Sequence, residues 1–118
     1  MEYIEIPNFN NNTLAKLNSA DKEVVMLTIL SIVERSGNYD LAVKVTRQFL
    51  DNDNEHIRGI AIECISHIAR LWNKLPVDLI EKVHSALSSD TSVWVRNKAD
   101  DVVQDLEVFI KGYIRPAK

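Results

Sequence analysis

The sequence has one cysteine, three glycines and three prolines in 118 residues. A lone Cys64 excludes an intrachain disulfide framework and suits a reducing compartment. So few turn-formers argue against a turn-rich all-β fold. No sign of charge dominates: 14 Lys and Arg stand against 17 Asp and Glu, for a net −3. That lacks the basic excess with which a generic nucleic-acid binder meets phosphate, so no direct nucleic-acid contact is expected. The longest apolar run, 24–33, is broken by Thr28 and Ser31 and is half of the roughly twenty residues a membrane helix needs. The opening Met1-Glu2-Tyr3-Ile4-Glu5 is acidic where a signal peptide carries positive charge. A cytoplasmic chain without membrane contact is expected. There is no glycine-rich phosphate loop, no G-x-S-x-G and no H-E-x-x-H, which argues against an enzyme.

What is present is helical periodicity. Residues 1–12 are an exception: Pro7 and Asn8, Asn10, Asn11 and Asn12 favour turns, and Tyr3, Ile4, Ile6 and Phe9 are placed to lie against the domain. A short helix is predicted over 13–18, followed by helices over 20–36, 39–51, 55–73, 76–88 and 93–111. Ser19 and Asn38 stand as N-caps, Gly37 as a left-handed helix stop and Pro76 as a first helical residue. Short loops imply antiparallel neighbours. The prediction is one all-α domain of about three antiparallel hairpins, 13–36, 38–73 and 76–111, with a basic tail over 112–118 that frays.

A shift of 38 residues lays the chain on itself without gaps. Asp40, Leu41, Lys44 and Val45 fall on Asp78, Leu79, Lys82 and Val83; Asn52 falls on Asp90; Ile57-Arg58 falls on Val95-Arg96; Ala61 falls on Ala99. A weaker earlier copy places Lys22, Val25, Ile29 and Ile32 on the Arg58, Ala61, Ile65 and Ile68 positions. Two helices per unit at this period mark an α-solenoid. The polar turns Asp51-Asn52-Asp53 and Ser89-Asp90-Thr91, followed by Ile57-Arg58-x-x-Ala61 and Val95-Arg96-x-x-Ala99, resemble HEAT and armadillo repeats. The first unit departs from that pattern, with Lys22 for Arg and Val25 for Ala, and the usual helix-kinking Pro is missing. The resemblance implies a short right-handed solenoid. It implies turn residues such as Asp53 and Asp90 bonded to Arg58 or Arg96, within a unit or to the next. It also implies close helix approach at Ala61 and Ala99.

The titratable candidates are His56, His67, His84 and Cys64. Cys64 and His67 sit three apart on one helix, the spacing of a metal pair or a dyad, but Cys64 aligns with the core position Val102 and no third or fourth ligand stands nearby. They read as a buried small hydrophobe beside a half-exposed histidine; no metal and no cofactor are expected. Arg58 and Arg96 read as turn-to-helix anchors, with ligand binding as the alternative, and Arg96 also has Asp100 at i+4. Trp72 ends an apolar face and reads as core. Trp94 opens a helix beside a turn and is an interface anchor if exposed.

The last helix is the most informative. Its apolar face is Val95, Ala99, Val102, Val103, Leu106 and Ile110; opposite lie Asn97, Asp101 and Gln104, flanked by Asp100 and Asp105. The matching stripe on the fourth helix is Gly59, Glu63 and Ser66, flanked by Ile62 and His67. If second helices of successive hairpins stand side by side, these outward faces merge into one surface carrying Glu63, Asp100, Asp101 and Asp105. That is either an ordinary solvated face or an electronegative docking surface for a basic protein. The helix over 20–36 is apolar nearly all round and needs cover from residues 1–12 or from another chain, so a homodimer is open.

In size, charge and architecture the chain resembles small bacterial immunity proteins of toxin–immunity pairs, including those of contact-dependent inhibition. The resemblance implies a single protein partner, a basic toxin domain such as a nuclease, whose active site is occluded. Glu63, His67, Trp94, Asn97, Asp100, Asp101, Gln104 and Asp105 would then form the contact surface. The alternative is a HEAT-like adaptor or assembly subunit using the same face.

Overall fold

The computed structural model describes residues 5–116. Tyr3 and Ile4, expected to lie on the domain, fall outside that range. A 3-10 helix, Thr13–Asn18, precedes five α-helices: α1 Lys22–Arg35, α2 Tyr39–Phe49, α3 Glu55–Trp72, α4 Val77–Ser89 and α5 Val93–Phe109. The fold is all-α; no strand occurs among the described residues.

Local chemistry sets most boundaries. The Leu41 N–H donates to Asn38 Oδ1 at 3.0 Å, and the His56 and Ile57 N–H groups donate to Asn54 Oδ1 at 2.8 and 3.2 Å. Each bond satisfies an orphan donor of a first helical turn. Ahead of α1 the cap is Asp21, which accepts from the Glu23 N–H at 2.9 Å; Ser19 instead accepts from the Asp21 N–H at 3.0 Å, orienting the cap rather than serving as it. Gly37 follows α1 at φ +65°, the left-handed stop its type suits. Asn73 does the same for α3 at φ 53°, its amide donating to the Phe109 carbonyl at 3.2 Å. Pro76 precedes α4 as its N-cap rather than opening it.

Packing centres on α3, which lies against α1, α2 and α5; α2 also touches α1, α4 lies against α5, and the 3-10 helix covers α1. Thus α1, α3 and α5 form a row. Ile29, Ile32, Ile65, Ile68, Val95 and Leu106 are wholly buried along it, as are Leu79 and Val83 of α4. Each such side chain contributes about 1.5–3 kcal/mol on leaving water. Ala61 and Ala99 are equally buried, and their single methyl lets neighbouring backbones approach. Ile6, Phe9 and Leu17 pack on the core, giving the apolar α1 cover from its own chain. Trp72 is half-buried at the rim, edge-on to Tyr39 with ring centroids 5.6 Å apart, rather than inside the core.

The two repeat turns make the same bonds. The Asn54 N–H donates to Asn52 Oδ1 at 2.9 Å, and the Ser92 N–H donates to Asp90 Oδ1 at 2.9 Å. Arg58 Nη1 donates to the Asn52 and Asp53 carbonyls at 3.0 and 3.3 Å; Arg96 Nη1 donates to the Asp90 carbonyl. Arg58 then reaches across: Nε and Nη2 grip both Asp90 carboxylate oxygens at 2.9 and 2.8 Å. This fork holds the Asp90 carboxyl below the usual carboxylate range. Arg58 therefore serves its own turn and the next one. Arg96 serves its own turn, and the Arg96–Asp100 pair expected from spacing does not form among the described residues.

The C-terminal tail is tied down in part rather than frayed. Tyr113 Oη and His84 Nε2 are 2.7 Å apart, and Arg115 pairs with Glu107.

Candidate partner-binding surface

The helix α5 carries the candidate residues because its period places them so. Val95, Ala99, Val102, Val103 and Leu106 form its buried face, and Asn97, Asp100, Asp101, Gln104 and Asp105 are exposed on the other sides. The expected merger with the α3 stripe is confined to one hollow, where Glu63 and His67 meet Asp105. Gly59 and Ser66 are buried on the side of α3 on which α5 sits, and Ile62 is buried towards α4. The Trp94 ring packs so tightly on Gly59 that a Cβ there would overlap it. Trp94 is accordingly half-buried between helices, tilted against His56 at a centroid distance of 5.2 Å, with the Lys98 ammonium 5.3 Å from its ring. Most of its surface is spent inside the chain.

Glu63 is likewise engaged at the α3–α5 seam. Its Oε1 accepts from Lys98 Nζ at 2.8 Å, and its Oε2 lies 3.9 Å from His67 Nε2. His67 and Lys98 hold the Glu63 carboxyl at about 2, against the ordinary 4.5, while partial burial opposes them. The other nitrogen of His67, Nδ1, lies 2.6 Å from Glu34 Oε1 of α1, which also accepts from Arg70 Nη2 at 2.5 Å. Charges therefore alternate from α1 through α3 to α5, Glu34, Arg70, Glu63 and Lys98, with the His67 ring between Glu34 and Glu63. Reading the sequence overlooked Glu34 and Lys98. The available signal was that Glu34–Arg70 and Glu63–Lys98 join opposite charges 36 and 35 residues apart, close to the repeat length.

The four acids are spread across the exposed side of α5 and its flanks rather than gathered in one patch. Asp105 lines a shallow hollow with Glu63, Ser66, His67, Arg70 and Phe109. Asp100 turns to the α4 flank, into a second hollow with His84, Ser88, Arg115 and Pro116. Asp101 lies between them and has no ion-pair partner among the described residues; Gln104 donates to Asp100 Oδ2 at 3.3 Å. Cys64 is fully buried, which pushes its thiol far up and leaves it inert.

The candidate residues thus lie mostly on the exposed face of α5, the last described helix of the row. No protein-family model and no curated protein matches the chain. Among solved structures, the fold is similar to a chain in the crystal structure of a CDI complex from Cupriavidus taiwanensis. The TM-score is 0.77 and the identity 26%, over 92% of this chain and 97% of that one.

Proposed function

We propose that the chain is the immunity protein of a contact-dependent inhibition pair, a non-catalytic module that binds its cognate toxin domain and occludes the active site. The observation that carries this reading is the likeness, nearly end to end on both chains, to a component of a CDI complex. The α1–α3–α5 row is read as a short right-handed solenoid built from the 38-residue unit. The toxin is read as basic, a nuclease whose cationic substrate-binding surface meets Asp100, Asp101 and Asp105, with Asn97 and Gln104 between them and Glu63, His67 and Trp94 at the edge. Exposed carboxylates on one helix steer a basic partner and set the register of docking more than they add raw affinity.

The test is co-expression with the toxin domain encoded immediately upstream. The reading requires that the domain is toxic alone, that this chain restores growth, and that the two purify at one-to-one ratio. Growth arrest that this chain leaves unchanged overturns it.

A further inference from the structure

We infer, resting on the immunity reading, that the outward face of α5 receives a single helix of the toxin partner, with a carboxylate before its first turn set on Arg96 and a base two turns on set on Asp101. The warrant is the way α5 itself sits on α3. Three contacts fix that docking: Asp90 in the fork of Arg58, Trp94 over Gly59, and Lys98 on Glu63. Moving the receiving residues by one repeat turns Arg58, Gly59 and Glu63 into Arg96, Asn97 and Asp101. The buried stripe of α3 becomes the exposed stripe of α5, with Asn97, Asp100, Asp101, Gln104 and the exposed Val93 and Val108 on it.

The equivalence extends to atoms. Arg96 Nη1 already donates to its own turn carbonyl, as Arg58 Nη1 does. The Nε–Nη2 edge, which on Arg58 grips a carboxylate, has no partner on Arg96 among the described residues. Asp101, in the place of the lysine-paired Glu63, has none either. The receiving helix thus offers a guanidinium fork and a carboxylate at the spacing that Asp90 and Lys98, eight residues apart, satisfy one unit earlier. Complementarity asks the incoming helix for an acid and then a base in that order.

The flanking helices α2 and α4 do not continue in this way. Exposed ion pairs link α2 and the turn after it to α4: Arg47–Asp78 at 2.7 Å and Asp51–Lys82 at 3.1 Å. One repeat on, Arg47 and Asp51 become Ser85 and Ser89, which carry no charge. The outward side of α4 thus offers no equivalent of those ion pairs, whereas the outward face of α5 keeps the fork and the carboxylate that receive one helix. Its polar stripe suits a reversible contact rather than a permanent extension of the core.

The experiment titrates the full chain with the upstream-encoded toxin domain by calorimetry, comparing Asp101→Lys and Arg96→Gln with Glu81→Lys on the exposed face of α4. Losing a desolvated charge pair is expected to weaken binding about tenfold for each α5 variant, and less than about twofold for Glu81→Lys. Asp101 makes no internal bond among the described residues, so Asp101→Lys tests the face even if Arg96→Gln unsettles the turn. Unchanged affinity in Asp101→Lys, with wild type still binding and protecting, overturns the inference and leaves the immunity reading standing. Absence of wild-type binding overturns both. A dimer of the chain alone in sedimentation, abolished by Asp101→Lys, assigns the face to a second copy and overturns the toxin helix.

Discussion

The two ends of the α1–α3–α5 row are finished differently. At the α1 end, Ile6, Phe9 and Leu17 from the preceding segment pack on the core. At the α5 end the exposed stripe is amide and carboxylate flanked by Val93 and Val108, and Arg96 and Asp101 occupy positions whose equivalents 38 residues earlier are bonded. The same repeat thus uses one end to exclude water and leaves the other wet. The first arrangement gains stability from area, the second gains selectivity from charge geometry.

The comparison breaks most severely where two units are joined. Arg58→Ala removes a bidentate bridge only 15% and 11% exposed on its two side chains, and strips two carbonyls of their donor. A loss of about 3 kcal/mol is expected, since an uncompensated Asp90 carboxylate stays behind. Urea unfolding measures it. The next effect is steric: Gly59→Ala drives a methyl into the Trp94 ring, and overpacking outweighs the helix gain to destabilise by about 2 kcal/mol. Adding Trp94→Leu to that variant should recover part of the loss, which a double-mutant cycle reads directly.

A smaller effect separates the seam from both ends. The carboxyl of Glu63 titrates at about 2 in the folded chain against the ordinary 4.5. Its depressed value means that its contribution is fully present above about pH 4.5 and is lost as pH falls towards 2. For a side chain 34% exposed, solvent screening leaves about 1 kcal/mol. Thermal melts of wild type and Glu63→Gln should therefore converge as pH drops through that window; parallel curves would refute the pairing. The smallest effect falls on the open face: Asp100→Ala, Asp101→Ala and Asp105→Ala together should shift stability by no more than about 0.5 kcal/mol. If that triple variant folds normally and holds its partner unchanged at low salt, the acidic stripe is not the docking surface.

Much of the fold was legible because it is written in local chemistry. Asn38, Gly37 and the polar turns before α3 and α5 mark helix ends through backbone bonds a few residues long, and the apolar period marks the core faces. The 38-residue match aligned Asn52 with Asp90, and those two turns bond alike. What the match could not convey is direction. Equivalence of α3 and α5 does not say which side of α3 its neighbour covers, so Gly59 and Ser66 read as outward when they are the seat of α5. Residue size held the clue: a Gly in mid-helix opposite a Trp in the next unit forms a lock, not a solvated stripe. Lys98 escaped notice for a related reason, since its partner lies on another helix and leaves no i+4 signature. The tail was misjudged on charge alone; Tyr113 and its bond to His84 anchor it.

The double grip of Arg58 has a kinetic side. One guanidinium holds the turn before α3 and the turn before α5, so neither can open while the other stays shut. Amide exchange in the two turns should therefore proceed as one event, at one rate, so that α3 and α5 open together rather than one after the other.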